Sequence, residues 1–150
     1  MKAVIQRVTK ASVSIDGTIV ASIKKGILIL LGVEALDTEE DSHWLSKKIA
    51  NLRIFDDLNG VMNCSLIEDE ADAIVVSQFT LHASTKKGNR PSYIKAAKAS
   101  IAIPLYENFI TQFQQELGKK VQTGQFGANM TLEIHNNGPV TIIIDSKNKI

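Results

Sequence analysis

Polar and apolar residues alternate along the first third of the chain, and a period of two is typical of β-strands. Val13 and Ile15 belong to this pattern and are followed by Asp16-Gly17, a residue pair that favours a β-hairpin turn. Residues 26–33, GILILLGV, carry no polar side chain. A strand of this kind is expected at the centre of a sheet that is covered on both faces.

Two segments have helical periodicity instead. The first covers residues 38–53, with Thr38 as an N-cap candidate and Asp41 three positions later as its partner in a capping box. The second covers residues 100–117 and places its large apolar residues on one side. Both helices are expected to cover a face of the sheet.

Shorter apolar runs between turn residues predict the other strands. They cover residues 53–55, 61–67, 71–81, 121–123, 131–135 and 140–145. No linker or repeat divides the sequence. We therefore predict a single domain, residues 1–150, with an α+β fold in which mainly antiparallel sheets form a barrel-like or layered core with helices packed on one side.

Charge and cysteine content narrow the possible functions. Seventeen Lys and Arg residues oppose sixteen Asp and Glu residues, so the formal net charge is +1 and a polyanion must bind to a local patch. The single Cys64 excludes an internal disulfide, and no apolar run approaches about 18 residues. We expect a soluble protein of the reducing cytoplasm, with no membrane contact.

Metal and thiol chemistry have little support in the sequence. The three histidines, His43, His82 and His135, show no spacing typical of metal ligands, so we predict no metal site. Cys64 together with His82 or His135 would suit a cysteine hydrolase. A lone cysteine is more often a small buried apolar residue.

Polar residues lie at the end of the predicted strand at residues 71–81 and in the loop that follows it. Ser77, Gln78 and Thr80 either end the strand or present hydrogen-bonding groups at the edge of a sheet. A hydroxyl nucleophile here would also need a base, and the spacing fixes none. The loop at residues 86–92 holds three cations and either faces solvent or contacts phosphates.

Two further segments lie near the end of the chain. Residues 124–130, GQFGANM, place glycines around Phe126, which suits either a bend between strands or an aromatic ring that stacks on a base. Asn137-Gly138 precedes Pro139 and taken alone is a common turn pair.

Five short segments, in this order along the chain, resemble the D-aminoacyl-tRNA deacylase family: QRV, SQFTL, KGNRPS, GQFGANM and NNGPVT. Asn137 departs from the acidic residue common there, at a variable site of the motif. The resemblance implies a homodimeric hydrolase, without cofactor or metal, that cleaves the ester between a D-amino acid or glycine and the 3′-terminal adenosine of tRNA. It also implies that Gly138-Pro139 is a cis dipeptide inserted into the active site of the other subunit.

The resemblance also assigns roles to individual residues. Ser77, Gln78, Phe79 and Thr80 are expected around the ester, with the amide of Phe79 or Thr80 as oxyanion donor. Gly138 and Pro139 are expected to reject L-amino acids through their backbone carbonyls, supported by Arg7, Asn136, Val140 and Thr141. Adenosine or tRNA contacts are expected from Lys86, Lys87, Arg90, Gly124, Phe126, Gly127, Ala128 and Met130. The alternative is a nucleic-acid-binding module without chemistry that uses Lys86, Lys87, Arg90 and Phe126.

Overall fold

The computed structural model describes residues 1–149, which form eight strands, two α-helices and a short 3₁₀ turn. The strands are β1 (Lys2–Ile15), β2 (Thr18–Ile23), β3 (Gly26–Gly32), β4 (Phe55–Asp56), β5 (Met62–Cys64), β6 (Asp72–Ser77), β7 (Gln122–Thr123) and β8 (Thr131–Asp145). The helices are α1 (Glu39–Ala50) and α2 (Ala99–Leu117), and the 3₁₀ turn covers Phe79–His82. No helix within residues 1–149 has both the length and the apolar character needed to cross a membrane.

Strand β1 organises the main sheet because it has three antiparallel partners, β2, β3 and β8. The sheet continues through parallel pairing of β3 with β6 and of β6 with β7. Gly26 permits the close β3–β6 approach, since a Cβ there would overlap the carbonyl oxygen of Asp72. The Asp16-Gly17 hairpin is confirmed, with positive φ at both residues.

The two outer strands of this sheet, β2 and β7, meet through a side chain. The side-chain amide of Gln122 accepts from the Ser22 N–H and donates to the Ser22 carbonyl, both at 2.6 Å. The Gln122 side chain therefore forms the same two hydrogen bonds with Ser22 that the backbone of a neighbouring strand would form. The result is a nearly closed barrel with two helices beside it, and the predicted α+β fold is confirmed.

Strand β3 separates two apolar clusters, as its uniformly apolar sequence predicted. Leu28 faces the barrel interior together with Val8, Val13 and Ile74. Ile27, Ile29 and Leu31 face the other side, where the helices supply the fully buried residues Leu45, Ile49, Phe109 and Phe113. The helices thus cover one face of the sheet and hold β3 rigid at the centre of the fold.

Helix α1 begins as predicted, with Thr38 as the N-cap and Asp41 completing the capping box. The Asp41 carboxylate also accepts from Ser146 Oγ at 2.8 Å and from Lys147 Nζ at 2.7 Å. Burial raises the pKa of Asp41, but these hydrogen bonds and that from the Thr38 amide outweigh it and leave the pKa well below the usual value. This cluster ties the end of the chain to α1.

Several predicted strand boundaries are wrong, and three of them change the shape of the sheet. The strand expected over residues 71–81 ends at Ser77 because its partner β3 ends at Gly32, and the chain turns into the 3₁₀ turn. The strand expected over residues 61–67 is limited to Met62–Cys64. The two strands expected over residues 131–135 and 140–145 form one strand, β8, because β1 pairs with both of their ends.

Candidate active site

A cavity of about 310 Å³ opens where β3 and β6 end. Ser77, Gln78 and Phe79 line one side, next to Leu31, Val33 and Val76. The segment from Phe126 to Met130 and Leu132 of β8 line another side, and Ala97, Ala102 and Tyr106 complete the wall. The fold therefore brings together two of the predicted segments, which are about 50 residues apart in the sequence.

The 3₁₀ turn gives this cavity its polar groups. The N–H of Gln78 donates to the Leu31 carbonyl at 2.8 Å, which fixes the turn to the end of β3. Phe79 and Thr80 are the first two residues of the turn, and amides at that position have no acceptor within the helix. The N–H groups of Phe79, which lines the cavity, and of Thr80 therefore need an acceptor from outside the turn.

The Thr80 hydroxyl has one hydrogen-bond partner among the described residues, the side-chain amide of Gln78, which donates to Oγ1 at 2.5 Å. A general base would accept a proton from this oxygen. The observed contact has the opposite direction, with the hydroxyl oxygen as the acceptor. Thr80 itself is half-buried.

Tyr106 is a cavity residue that the sequence did not reveal. It lies on the buried face of α2, donates from its hydroxyl to the Val75 carbonyl at 2.9 Å, and meets Phe126 edge to face at 5.8 Å. Burial raises the pKa of Tyr106 to about 12, so the hydroxyl keeps its proton for this bond. In the sequence, Tyr106 has helical spacing with Leu105 and Phe109. This spacing predicts a buried core residue and does not indicate a functional site.

Gly124 lies outside the cavity wall but shapes it. A Cβ at this position would overlap the sulfur of Met130, which does line the cavity. Gly127 has a φ of +77°, and the Ala128 N–H donates to the Gln125 carbonyl at 3.2 Å. These glycines let the segment fold back and present Phe126 and Met130.

The Gly138-Pro139 dipeptide lies within a bulge of β8. Gln6 of β1 pairs with Thr141, and Val8 pairs with Asn136, so four residues of β8 face Arg7 alone. The bond is cis, Gly138 has a φ of +118°, and both residues are exposed. Val140 packs beside Gly138, where a Cβ would come within 3.0 Å of its Cγ2. Asn136 and Thr141 are thus the paired residues on either side of the bulge.

Arg7 is a buried arginine that supports this bulge. Its Nε donates to the Asn137 carbonyl at 3.3 Å, and its Nη1 donates to the Ile54 carbonyl at 2.7 Å. The same Nη1 is 3.2 Å from the carboxylate of Asp56. Arg7 therefore links β8 to the segment that follows α1.

The dipeptide and the cavity of one chain lie apart. Arg7 pairs with Ile27 of β3, whereas the cavity begins at Leu31, four residues and about 13 Å further along this strand. Neither Gly138 nor Pro139 lines the cavity.

The predicted loop at residues 86–92 is exposed, and Lys86, Lys87 and Arg90 all face solvent. Its base is fixed by two backbone hydrogen bonds between Ser84 and Ser92, of 2.8 and 2.9 Å. Within residues 1–149 no ion pair involves these three cations. Their charge is free for an anionic partner.

The alternative chemistries lack supporting geometry. Cys64 pairs with Phe55 in the small β4–β5 sheet, His82 is buried in the 3₁₀ turn, and His135 is exposed on β8. No hydrogen bond joins the thiol to either imidazole in the part of the chain that the structure describes. Among residues 1–149 no three His, Cys, Asp or Glu side chains group as metal ligands would.

Comparisons with known proteins agree with the predicted resemblance. Residues 4–145 match the family model described as D-Tyr-tRNA(Tyr) deacylase. The chain is 66% identical to a D-aminoacyl-tRNA deacylase of Flavobacterium psychrophilum and 64% identical to one of Bacteroides fragilis, each over 99% of both chains.

Two solved structures have the same fold. A c-Myc DNA unwinding element binding protein superposes with a TM-score of 0.91 at 38% identity, over 97% of this chain and 98% of that one. A probable eukaryotic D-amino acid tRNA deacylase superposes with a TM-score of 0.83 at 17% identity, over 95% and 97%, and shows the fold alone. The family model and the curated relatives span nearly the whole chain, and the chain belongs to the D-Tyr-tRNA(Tyr) deacylase family.

Proposed function

We propose that the protein hydrolyses the ester between a D-amino acid, or glycine, and the 3′-terminal adenosine of tRNA. The observation that carries this proposal is the cavity in which Ser77, Gln78 and Phe79 face Phe126 and its neighbours in a chain of this family. Aminoacylated tRNA is then the partner, and its 3′ end enters the cavity. A cytoplasmic location follows from this substrate and stays a prediction.

The adenosine binds against Phe126, Gly127, Ala128 and Met130, which supply an aromatic ring and a close approach of backbone. The ester carbonyl then lies at the 3₁₀ turn, where the Phe79 and Thr80 amides stabilise the oxyanion. Ester hydrolysis needs this stabilisation and an oriented water or hydroxyl. Rigid attachment of Gln78 to Leu31 supports such a preorganised site.

Thr80 positions the substrate and does not attack it. Its hydroxyl accepts from Gln78, and the described residues offer it no base. The vicinal 2′-hydroxyl of the substrate ribose is available to assist the attack of water. Loss of the Thr80 hydroxyl should therefore cost far less than loss of a nucleophile, which typically costs several orders of magnitude.

The Gly138-Pro139 dipeptide selects the enantiomer in the cavity of a partner subunit. It is exposed, it does not line the cavity of its own chain, and Arg7 holds the preceding carbonyl. Backbone carbonyls accept from the substrate amino group and leave no room for an L side chain, which gives rejection by steric clash. The dipeptide contacts only the groups bonded to the substrate Cα, so the size of the substrate side chain should have little effect on the cleavage rate.

Deacylation of D-Tyr-tRNA, Gly-tRNA and L-Tyr-tRNA, measured side by side, tests this function. We expect cleavage of the first two and refusal of the third even at high enzyme concentration. Comparable cleavage of L-Tyr-tRNA would contradict the selector. Binding of tRNA without any turnover would instead favour the nucleic-acid-binding module. Light scattering tests the dimer, since a fully active monomer would contradict insertion from a second subunit.

A further inference from the structure

Two exposed aromatic rings lie together at the rim of the cavity. Phe79 and Tyr93 meet edge to face with ring centroids 5.1 Å apart, although 56% and 40% of these residues are exposed. Phe79 also lines the cavity, so the pair is continuous with it. Large aromatic residues are usually buried, and an exposed pair beside a cavity is a natural surface for a flat apolar ligand.

The backbone around Tyr93 holds this ring in place. Tyr93 directly follows Ser92, which is bonded to Ser84 by two backbone hydrogen bonds. Three residues later, Ala96 bridges to Glu34, and the Ala97 N–H donates to the Val33 carbonyl at 2.9 Å. Tyr93 is therefore fixed between two attachments and does not lie on a free loop.

The chain segment that carries both rings contains only positive charges. Between Asp72 and Glu107 the sequence contains no acidic residue and five cations, in a chain whose net charge is only +1. All five are exposed and form no ion pair within residues 1–149: Lys86, Lys87, Arg90, Lys95 and Lys98. Exposed aromatic rings among cations are the composition of a surface for single-stranded nucleic acid.

We propose that Phe79 and Tyr93 form a stacking platform for the base next to the terminal adenosine, with Lys95 and Lys98 beside the phosphates of that strand. This inference rests on the proposed function. A cavity of about 310 Å³ is at the lower end of ligand-site volumes, so it has room for little beyond the terminal nucleoside and leaves the next nucleotide at the rim. The aromatic pair lies at that rim.

The test compares two substrates, D-Tyr-adenosine and an RNA minihelix that ends in CCA and carries D-Tyr. The measured quantity is the ratio of kcat/KM for the minihelix to that for D-Tyr-adenosine, because any change in the chemistry affects both substrates. We expect Tyr93→Ala to lower this ratio roughly five- to tenfold, mainly through KM, since stacking of one base on one of two rings is lost.

Three further variants define the cause. Tyr93→Phe keeps an aromatic ring and should retain the ratio, whereas Tyr93→Leu keeps packing on Phe79 but should behave as Tyr93→Ala. Leu58→Ala removes a fully exposed apolar residue remote from the cavity and is the matched control. An unchanged ratio for Tyr93→Ala would overturn the proposal, as would a ratio that falls equally for Leu58→Ala.

Binding separates this inference from the proposed function. If the wild-type protein cleaved neither substrate, the proposed function would fail, and fluorescence anisotropy with the uncharged CCA minihelix would still test the platform. Tyr93→Ala should then raise the Kd several-fold relative to Leu58→Ala, and an equal Kd would contradict the platform. Light scattering completes the test, because a changed oligomeric state in Tyr93→Ala would mean that a second copy of the chain covers the pair.

Discussion

Replacement of Arg7 by methionine should lower the free energy of unfolding by about 3 kcal/mol. The hydrogen bond to the Ile54 carbonyl is short and buried, and loss of a bond from a charged donor costs roughly 1.5–3 kcal/mol. The bond to the Asn137 carbonyl, at 3.3 Å, is long and should add about 1 kcal/mol. The ion pair with Asp56 should contribute under about 1 kcal/mol, because that carboxylate is half exposed.

Urea unfolding followed by circular dichroism measures this change, with Asp56→Asn as the matched control. Asp56→Asn removes only the ion pair and should cost less than about 1 kcal/mol. Arg7→Met should also reduce D-Tyr-tRNA deacylation beyond the loss of folded protein, since the anchor of the dipeptide is lost. The reasoning would be refuted if Arg7→Met cost under about 1 kcal/mol, or if Asp56→Asn cost as much.

Three further predictions concern other parts of the molecule. Thr80→Ala should keep measurable deacylase activity, and a trapped covalent aminoacyl-Thr80 adduct would contradict this. Replacement of Lys86, Lys87 and Arg90 by alanine together should weaken the binding of different tRNAs to the same extent and should make that binding less dependent on salt. Binding titrations at several salt concentrations measure both effects. Stability should fall as the pH drops below about 4, because the pKa of Asp41 is depressed in the folded state and protonation then favours unfolding. Asp41→Asn should flatten the dependence of the urea midpoint between pH 6 and pH 3, and an equally steep dependence would exclude Asp41 as its source.

Local signals in the sequence predicted those features that depend on neighbouring residues. The Asp16-Gly17 hairpin and the Thr38 cap are of this kind, since a turn and a capping box are set by two to four residues. The apolar strand β3 was also predicted, because burial on both faces leaves no polar position. Strand boundaries that depend on a partner distant in the sequence were predicted wrongly. Strand β6 ends at Ser77 because its partner β3 ends there, and β8 is one continuous strand because β1 pairs with both of its halves.

The candidate active site shows the same difference between features set by neighbouring residues and features set by tertiary packing. The segments around Ser77 and Phe126 were identified through the family resemblance, and only the fold shows that they line one cavity. Tyr106 was missed because its helical spacing indicates a core residue, and its contact with Phe126 depends on tertiary packing. The aromatic pair of Phe79 and Tyr93 was missed for the same reason, since 14 positions separate the two residues in the sequence.

The closure of the barrel by Gln122 has a consequence for its motion. A side-chain amide turns about several single bonds, and both of its hydrogen bonds are exposed to water, so the seam between β2 and β7 opens with less free energy than the backbone ladders. Strand β7 continues into the segment that carries Phe126 and Met130. The pairing of β7 with β6 holds this segment while the seam opens, so amide hydrogen exchange should begin at Ser22 on β2, well before β3 exchanges.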